Sequence, residues 1–422
     1  MRLKEVAVEI NRVEFGDVTG VAGQTLTICK DELIALINEE NAFAAVEIEL
    51  AAPGESCRII QVADIIQPRV KTEGSGQVFP GVISPMEQVG SGTTVVLEGV
   101  AVLETWQYPG KFTSVLDMSG PAAALSHFSK LWQVVLIARP HPEISMVEYA
   151  RALKKAGLRA AKYLAEAAVA VTPARETVYD LNASHVSPEL PRVAYVCQLY
   201  SIREADEPLV YGHNVKNLLP TIMHPNEFLD GAVVNNDYEN IRISEPTYTH
   251  QNHPVIKELY RRHGKDLNFV GVILKDAPLS LDDKKRSALM AAKVAKLYLQ
   301  VDGVVITKEG GGHPQLDMAL TADACAAQGI ETVIMIAEFI SGSGKGNEMT
   351  LFNSKAANAI ISTGKTEQLQ LPKMDRVIGM RVTDSPQDPF YAVFFNGGLS
   401  SNQSIRGAVS QVGENRLTAV EY

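Results

Sequence analysis

Cysteine is scarce in this 422-residue chain: Cys29, Cys57, Cys197 and Cys325 are scattered, and no two form a CxxC pair. That spacing disfavours a disulfide framework or a zinc–thiolate site, both of which need clustered cysteines. Long apolar runs are missing too. The longest, such as VVLIA (134–138) and TVIMIA (332–337), are strand-length, far below the ~20 residues of a membrane helix. The N-terminus, MRLKEVAVEI, alternates charged and apolar residues and lacks the continuous apolar core of a signal peptide. A cytoplasmic protein is expected. Positive charge is outweighed as well: 39 basic against 49 acidic residues leave a net −10, with no long basic run. Nucleic-acid binding is disfavoured, because it rests on clustered cations that neutralise phosphates.

What is present is an ordinary globular composition, 46% apolar and 21% charged. The length exceeds what one core organises, so two domains are expected, residues 1–187 and 188–422. The first is read as β-rich α+β. Its segments VAVEINRVEF, TLTICK, AVEIEL, CRIIQVADIIQPRV and TTVVLEGVAVLETW have strand character, and KDELIALINEE (30–40) reads as a short helix. Residues 72–92 hold too many Gly, Pro and Ser for regular structure. A loop that long is functional, interfacial or packed on itself. From Ser145 the pattern turns helical: Ser145 is a plausible N-cap, Glu148 its capping-box partner, and apolar residues recur at spacings of three and four to Val171. HVSPELPR (185–192) has the composition of a linker.

Beyond it, VAYVCQL (193–199), FVGVIL (269–274), GVVIT (303–307), TVIMIA (332–337) and ANAIIS (357–362) alternate with helical patterns, the clearest at 281–300. This predicts an α/β protein whose second domain is a doubly wound, mostly parallel sheet. Ligands in such folds bind at the carboxyl ends of the strands, which directs attention to three loops: 211–234, 246–264 and 308–320. They hold six of the nine histidines, His213, His224, His250, His253, His263 and His313, with Glu227, Glu309 and Asp317 nearby in sequence. Such a set suits acid–base work or a metal site; a metal would require three or four groups to converge. Each histidine can equally be a hydrogen-bonded loop residue. His224 and Glu227, with Pro225 between, fit the first turn of a helix. Gly310, Gly311 and Gly312 follow a buried strand and could expose amides to a carboxylate or phosphate, or form a tight turn. GSGKG (342–346) fails the Walker spacing, since Gly346 follows Lys345.

The segments GQVFPGVISPMEQVGSG, LDMSGP, PRVAYVCQL, YGHNVKNLLPTIMHPNEFLDGAVV, PTYTHQNHPVI, YRRHGKDLNFVGVIL and LPKMDRVIG resemble the proprotein subunit of component B of the glycine, sarcosine and betaine reductases, with the D-proline reductase proprotein a more distant relative. The resemblance implies a chain that cleaves itself at an internal cysteine, leaving a pyruvoyl group. That carbonyl captures the substrate amine, and a partner subunit carrying selenocysteine or cysteine displaces it. Activation is needed because an amine is a poor leaving group. In the family the cysteine lies between the DGA-V and PTY-HQN segments. Here that interval, NNDYENIRISE (235–245), holds no cysteine. Tyr238 stands near the processed position, and its phenol cannot undergo the acyl shift and elimination that yield a pyruvoyl. Ser244 has the right chemistry at an unpromising position.

No pyruvoyl is therefore expected; a metal is possible, of unknown kind. The leading expectation is a pyruvoyl-independent homologue that binds a small amino- or amide-containing substrate and cleaves it with a homologue of the thiol- or selenol-bearing subunit. The alternatives are a metal-dependent hydrolase or lyase using the His and carboxylate loops, and a noncatalytic scaffold subunit. The candidate catalytic residues are His224, His250, Tyr238 and Glu309. The candidate substrate-binding residues are His213, Glu227, Gly310, Gly311, Gly312, His313 and Asp317. Imidazoles shuttle protons near neutral pH, Glu309 and Asp317 could orient them or hold a cation, the glycines could receive an anion, and Tyr238 could donate a hydrogen bond.

Overall fold

The computed structural model describes residues 1–109, 114–182, 187–201, 208–235, 244–338, 354, 356–379 and 389–413. The interval holding Tyr238 and the GSGKG segment lie outside these residues.

Two four-stranded sheets organise the N-terminal half. One runs Arg175–Asp180, Arg2–Glu9, Gly92–Glu98, Arg69–Glu73; the other runs Phe43–Ala51, Trp132–Pro140, Val100–Thr105, Val62–Ile66. Apolar segments that read as single strands are broken where the backbone demands it. CRIIQVADIIQPRV becomes three strands, interrupted at Gln61, whose φ is 62°, and at Pro68, which has no N–H to give a ladder. TTVVLEGVAVLETW splits at Gly99, where φ is 85° and a Cβ would fall 2.0 Å from the carbonyl oxygen of Ile10; only glycine fits there.

The helix Met146–Glu166 begins as its sequence predicts, with Ser145 and Glu148 forming a reciprocal capping box. Its apolar stripe, including Tyr149, Leu153, Ala156, Ala160 and Leu164, is buried in the main core of this half. Lys154 interrupts that stripe and reaches under the sheet to Asp64 and to Glu104, the latter 3.0 Å away. The helix Lys30–Ile37 also forms where expected. The 72–92 loop is interfacial: Gly81 lies against the backbone of Tyr211 and Gly212, and Gly90 donates its amide to Asp230 at 2.7 Å.

The second half contains a six-stranded sheet in the order Thr221–Met223, Asn268–Asp276, Arg192–Leu199, Gly303–Lys308, Glu331–Glu338, Ala359–Lys365. All neighbours are parallel except the antiparallel edge Thr221–Met223. The strands read as near-continuous apolar runs because both faces are covered. Ala194, Val196, Ile273, Val304, Ile306 and Ile334 pack in a core with Ala291, Ala292, Met318 and Ala322 of the helices Leu281–Lys293 and His313–Ala326. Tyr195, Cys197, Leu199, Val272 and Leu274 face the other way, onto Phe228, Val255 and Leu259. The helical pattern at 281–300 is α-helical only to Lys293 and continues as a π-turn, Val294–Tyr298, closed by the Leu299 amide on the Val294 carbonyl.

Numbered along the chain, the five parallel strands lie in the order 2-1-3-4-5, so the topological switch point falls between Arg192–Leu199 and Gly303–Lys308. The C-terminal segment returns to the first half. Arg376–Ile378 pairs in parallel with Cys57–Ile60, and fully buried Arg58 grips Asp117 in a fork at 2.6 and 2.7 Å while donating to the carbonyls of Pro372 and Phe394. Among the described residues, no helix is long and apolar enough to cross a membrane. The cysteines are unpaired, and burial pushes the thiols of Cys57 and Cys325 up to about 12 and that of Cys197 further, as for small packed hydrophobes.

Candidate functional site

Glu309 is the first residue past the strand Gly303–Lys308, where its amide is fixed on the Gln198 carbonyl of the neighbouring strand at 2.8 Å. Its side chain turns toward the short helix Thr247–Gln251, every residue of which is buried. One carboxylate oxygen accepts the Glu245 amide at 3.1 Å and lies 3.4 Å from His250 Nε2. The other oxygen has no hydrogen-bond partner, and neither ring nitrogen of His250 makes a hydrogen bond. Buried polar groups are almost always satisfied, so open valences on both members of a buried pair mark a place built for something else to bind.

A second chain of groups backs this pair. His253 Nε2 lies 3.0 Å from the Tyr195 hydroxyl, which is 2.5 Å from Thr307 Oγ1. Phe228 packs against both imidazoles, its ring centroid 6.4 Å from His250 and 5.9 Å from His253. Burial, helped by the neighbouring His250, holds His253 well below the ordinary histidine range, so it is neutral. Burial likewise pushes Tyr195 far up and keeps its proton in place.

The helix bearing His250 is seated by the N-terminal half. The Thr247 amide and hydroxyl both donate to Asp64, and Gln251 exchanges hydrogen bonds with the Gln67 backbone. From the far end of the chain, the Gln411 amide and Ser410 hydroxyl donate to Glu245, and Arg406 donates to the Ser244 carbonyl at 2.8 Å. The interval 236–243 is thus flanked by Asn235, whose amide donates to Thr247 Oγ1 at 2.9 Å, and by Ser244 beside Glu245. The Ser244 hydroxyl is buried and makes no hydrogen bond to a base among the described residues.

On the other side of the strand ends, Lys275 is fully buried and donates to Asp317 at 2.8 Å, to Gln198 at 3.2 Å and to Thr321 at 3.3 Å. Burial pulls the lysine down and the aspartate up, and their contact opposes both shifts. His313 Nδ1 lies 2.9 Å from Lys284 Nζ. Burial and that ammonium bring His313 down to about 4.

Of the residues singled out from the sequence, the structure therefore joins His250 to Glu309. It places Gly310, Gly311, Gly312, His313 and Asp317 around the following loop and helix. His213, His224 and Glu227 are elsewhere, and Tyr238 lies outside the described residues. His213 is exposed on the strand His213–Asn214. His224 and Glu227 form a capping box on Pro225–Leu229, and Glu227 also accepts from the Tyr211 hydroxyl at 2.5 Å. His224 opens onto a cleft of about 350 Å³ with His263, Asn268 and Phe269, at the amino end of the strand Asn268–Asp276 and so at the opposite end of the sheet. Burial brings it down to about 4. Among the described residues, no group of three or more His, Cys, Asp or Glu is placed to hold a metal ion. Tyr195, Thr307 and Glu245 were not singled out as site residues, and His253 stood out only as one of the six loop histidines. Two are ordinary strand positions, and the only available signal was that Thr307 directly precedes the strand-end loop.

Comparison with known proteins bears on which chemistry this site serves. Residues 1–418 match the family described as glycine/sarcosine/betaine reductase component B subunits. The chain belongs to that family. Component B subunits alpha and beta of the glycine reductase complex of Acetoanaerobium sticklandii are 38% identical over 434 residues, covering all of both chains. Component B subunit alpha of the sarcosine reductase complex of Peptoclostridium acidaminophilum is 38% identical, covering 90% of each chain. The betaine reductase counterpart from the same organism is 32% identical, covering 88% of this chain and 86% of its own. No solved structure matches. These relatives are components of reductase complexes, which implies partner subunits for the family.

Proposed function

We propose that this chain is a reductase-complex subunit that works uncleaved and without a pyruvoyl group. It holds a small amino- or amide-containing substrate at the strand-end site while a homologue of the family's thiol- or selenol-bearing subunit breaks the C–N bond. The observation that carries this reading is the buried His250–Glu309 pair, with unfilled valences, bordering an interval that lacks the cysteine from which a pyruvoyl would be made. The unpartnered hydroxyl of Ser244 supports it, because an acyl shift at serine needs a base to take that proton.

His250, 3.4 Å from the Glu309 carboxylate, protonates the leaving nitrogen as the partner's thiolate or selenolate forms a bond to the carbon and the C–N bond breaks. The amine leaves neutral, and the substrate carbon remains on the partner subunit. His253, held neutral by burial and anchored through Tyr195 to Thr307, keeps the neighbouring wall of the pocket in one orientation. His213, exposed on its strand, belongs to this reading only as a contact to the partner; His224 and Glu227, engaged in capping Pro225–Leu229, take no part in it.

Intact mass under denaturing conditions tests it. A single species near 45.8 kDa is expected. Two fragments, the second carrying a keto group that borohydride reduces, would overturn it.

A further inference from the structure

The loop after the strand Gly303–Lys308 carries a set of donors that the His250–Glu309 pair does not use. The amides of Gly310, Gly311, Gly312 and His313 make no hydrogen bond among the described residues. They lead into the helix His313–Ala326, fourteen residues long, whose N-cap Gly312 offers no side chain. The first-turn amides of such a helix face outward with the positive end of its dipole. Two further donors, each more than nine-tenths buried, are without partners: the Ser201 hydroxyl, two residues past the end of the neighbouring strand Arg192–Leu199, and Gln315 Nε2. Ser201 follows Tyr200, whose ring packs on Gly310 and lies 5.5 Å from the His313 ring. Gln315 is in the helix's first turn, and Gln198 ties the preceding strand to it through the Pro314 carbonyl at 2.8 Å.

Gly310 shows how tightly this loop is drawn in. Its φ is 82°, and a Cβ would fall 2.6 Å from the Tyr200 ring and 2.8 Å from Pro314. Among the nearby charges, Glu309 is turned away to His250, Asp317 pairs with Lys275, and Lys284, which also has the Asp276 carboxylate nearby, brings an ammonium to His313. The whole arrangement sits at the topological switch point, where ligands of doubly wound sheets bind.

From these observations we infer that the loop 310–312, with Ser201, Gln315 and Lys284, is a subsite for a phosphoryl group, carried by inorganic phosphate or a phosphomonoester. A carboxylate offers two oxygens, fewer than the donors assembled; a phosphoryl group offers three, and helix N-termini with glycine-rich approaches suit it. The assignment is independent of how the C–N bond is broken and of whether the chain is processed.

Isothermal titration of the full chain with inorganic phosphate, glycerol phosphate and acetate tests it. At least one phosphoryl ligand should bind saturably at one site, at least ten-fold tighter than acetate; which of the two binds tighter identifies the source. Ser201→Ala and Gln315→Leu should each weaken binding five-fold or more, whereas His250→Gln should leave it unchanged. Thermal unfolding of each variant shows that it is folded, and the small Ser201→Ala change remains informative if Gln315→Leu is not. Absence of saturable binding, acetate binding as tightly as phosphate, or variants that bind like the wild type (an adventitious ion only) would each overturn the assignment.

Discussion

Thr247 and Asp64 stand 183 residues apart in the chain, yet the threonine gives the aspartate both its backbone amide, at 2.8 Å, and its hydroxyl, at 2.5 Å. Asp64 also receives Lys154, which is shared with Glu104. The helix that presents His250 is therefore fixed by a buried ionic cluster in the other half of the molecule, and several predictions rest on that linkage and on the loop it faces.

Lys154 lies between two fully buried carboxylates, Asp64 and Glu104. Lys154→Met should remove a buried cation from both and destabilise the protein by about 3–5 kcal/mol. The denaturant midpoint measures this, and an unchanged midpoint would show that the cluster is dispensable.

Substituting His250→Gln or Glu309→Gln should lower turnover in the reconstituted complex by about 10²–10⁴-fold, the usual worth of a positioned acid–base group, with little change in unfolding. The acid–base role would be lost if both variants kept wild-type turnover.

Gly310→Ala meets two obstacles, a positive φ and a contact with the Tyr200 ring. A cost of about 1–3 kcal/mol is expected from the backbone alone. Chemical unfolding checks it, and a neutral result would mean that the loop can shift.

His224 titrates at about 4 in the folded chain and near 6.5 when unfolded. Above pH 6.5 both states are neutral. As pH falls from there toward 4 the unfolded state binds the proton first, so stability is lost through that window. His224→Asn keeps a residue suited to the N-cap position but cannot titrate. Its stability should fall less steeply between pH 6.5 and 4, by up to one proton's worth of slope. Parallel curves for the two proteins would refute the assignment.

Features with local signals were legible in the sequence. Ser145 and Glu148 announced the helix Met146–Glu166, and His224, Pro225 and Glu227 announced the first turn of Pro225–Leu229. The apolar runs gave the parallel strands, and their ends gave the loops worth searching. What could not be read was convergence. Nothing local distinguishes His250, which meets Glu309, from His224, which faces the far end of the sheet. Pairing across the fold is decided by strand order, to which local spacing is blind. Tyr195 and Thr307 were hidden for a related reason: inside a strand, a polar residue aimed at a site looks like any other alternate position.

The clamp on Glu245 has a consequence for biogenesis. The Gln411 amide and Ser410 hydroxyl that hold this carboxylate lie 166 and 165 residues downstream of it. A nascent chain emerging from the ribosome can build its N-terminal sheets early, since domains tend to fold as they appear. It cannot lock the segment beside His250 until Ser410 and Gln411 are free. Any copy cut short before them would thus be born with that segment unlatched.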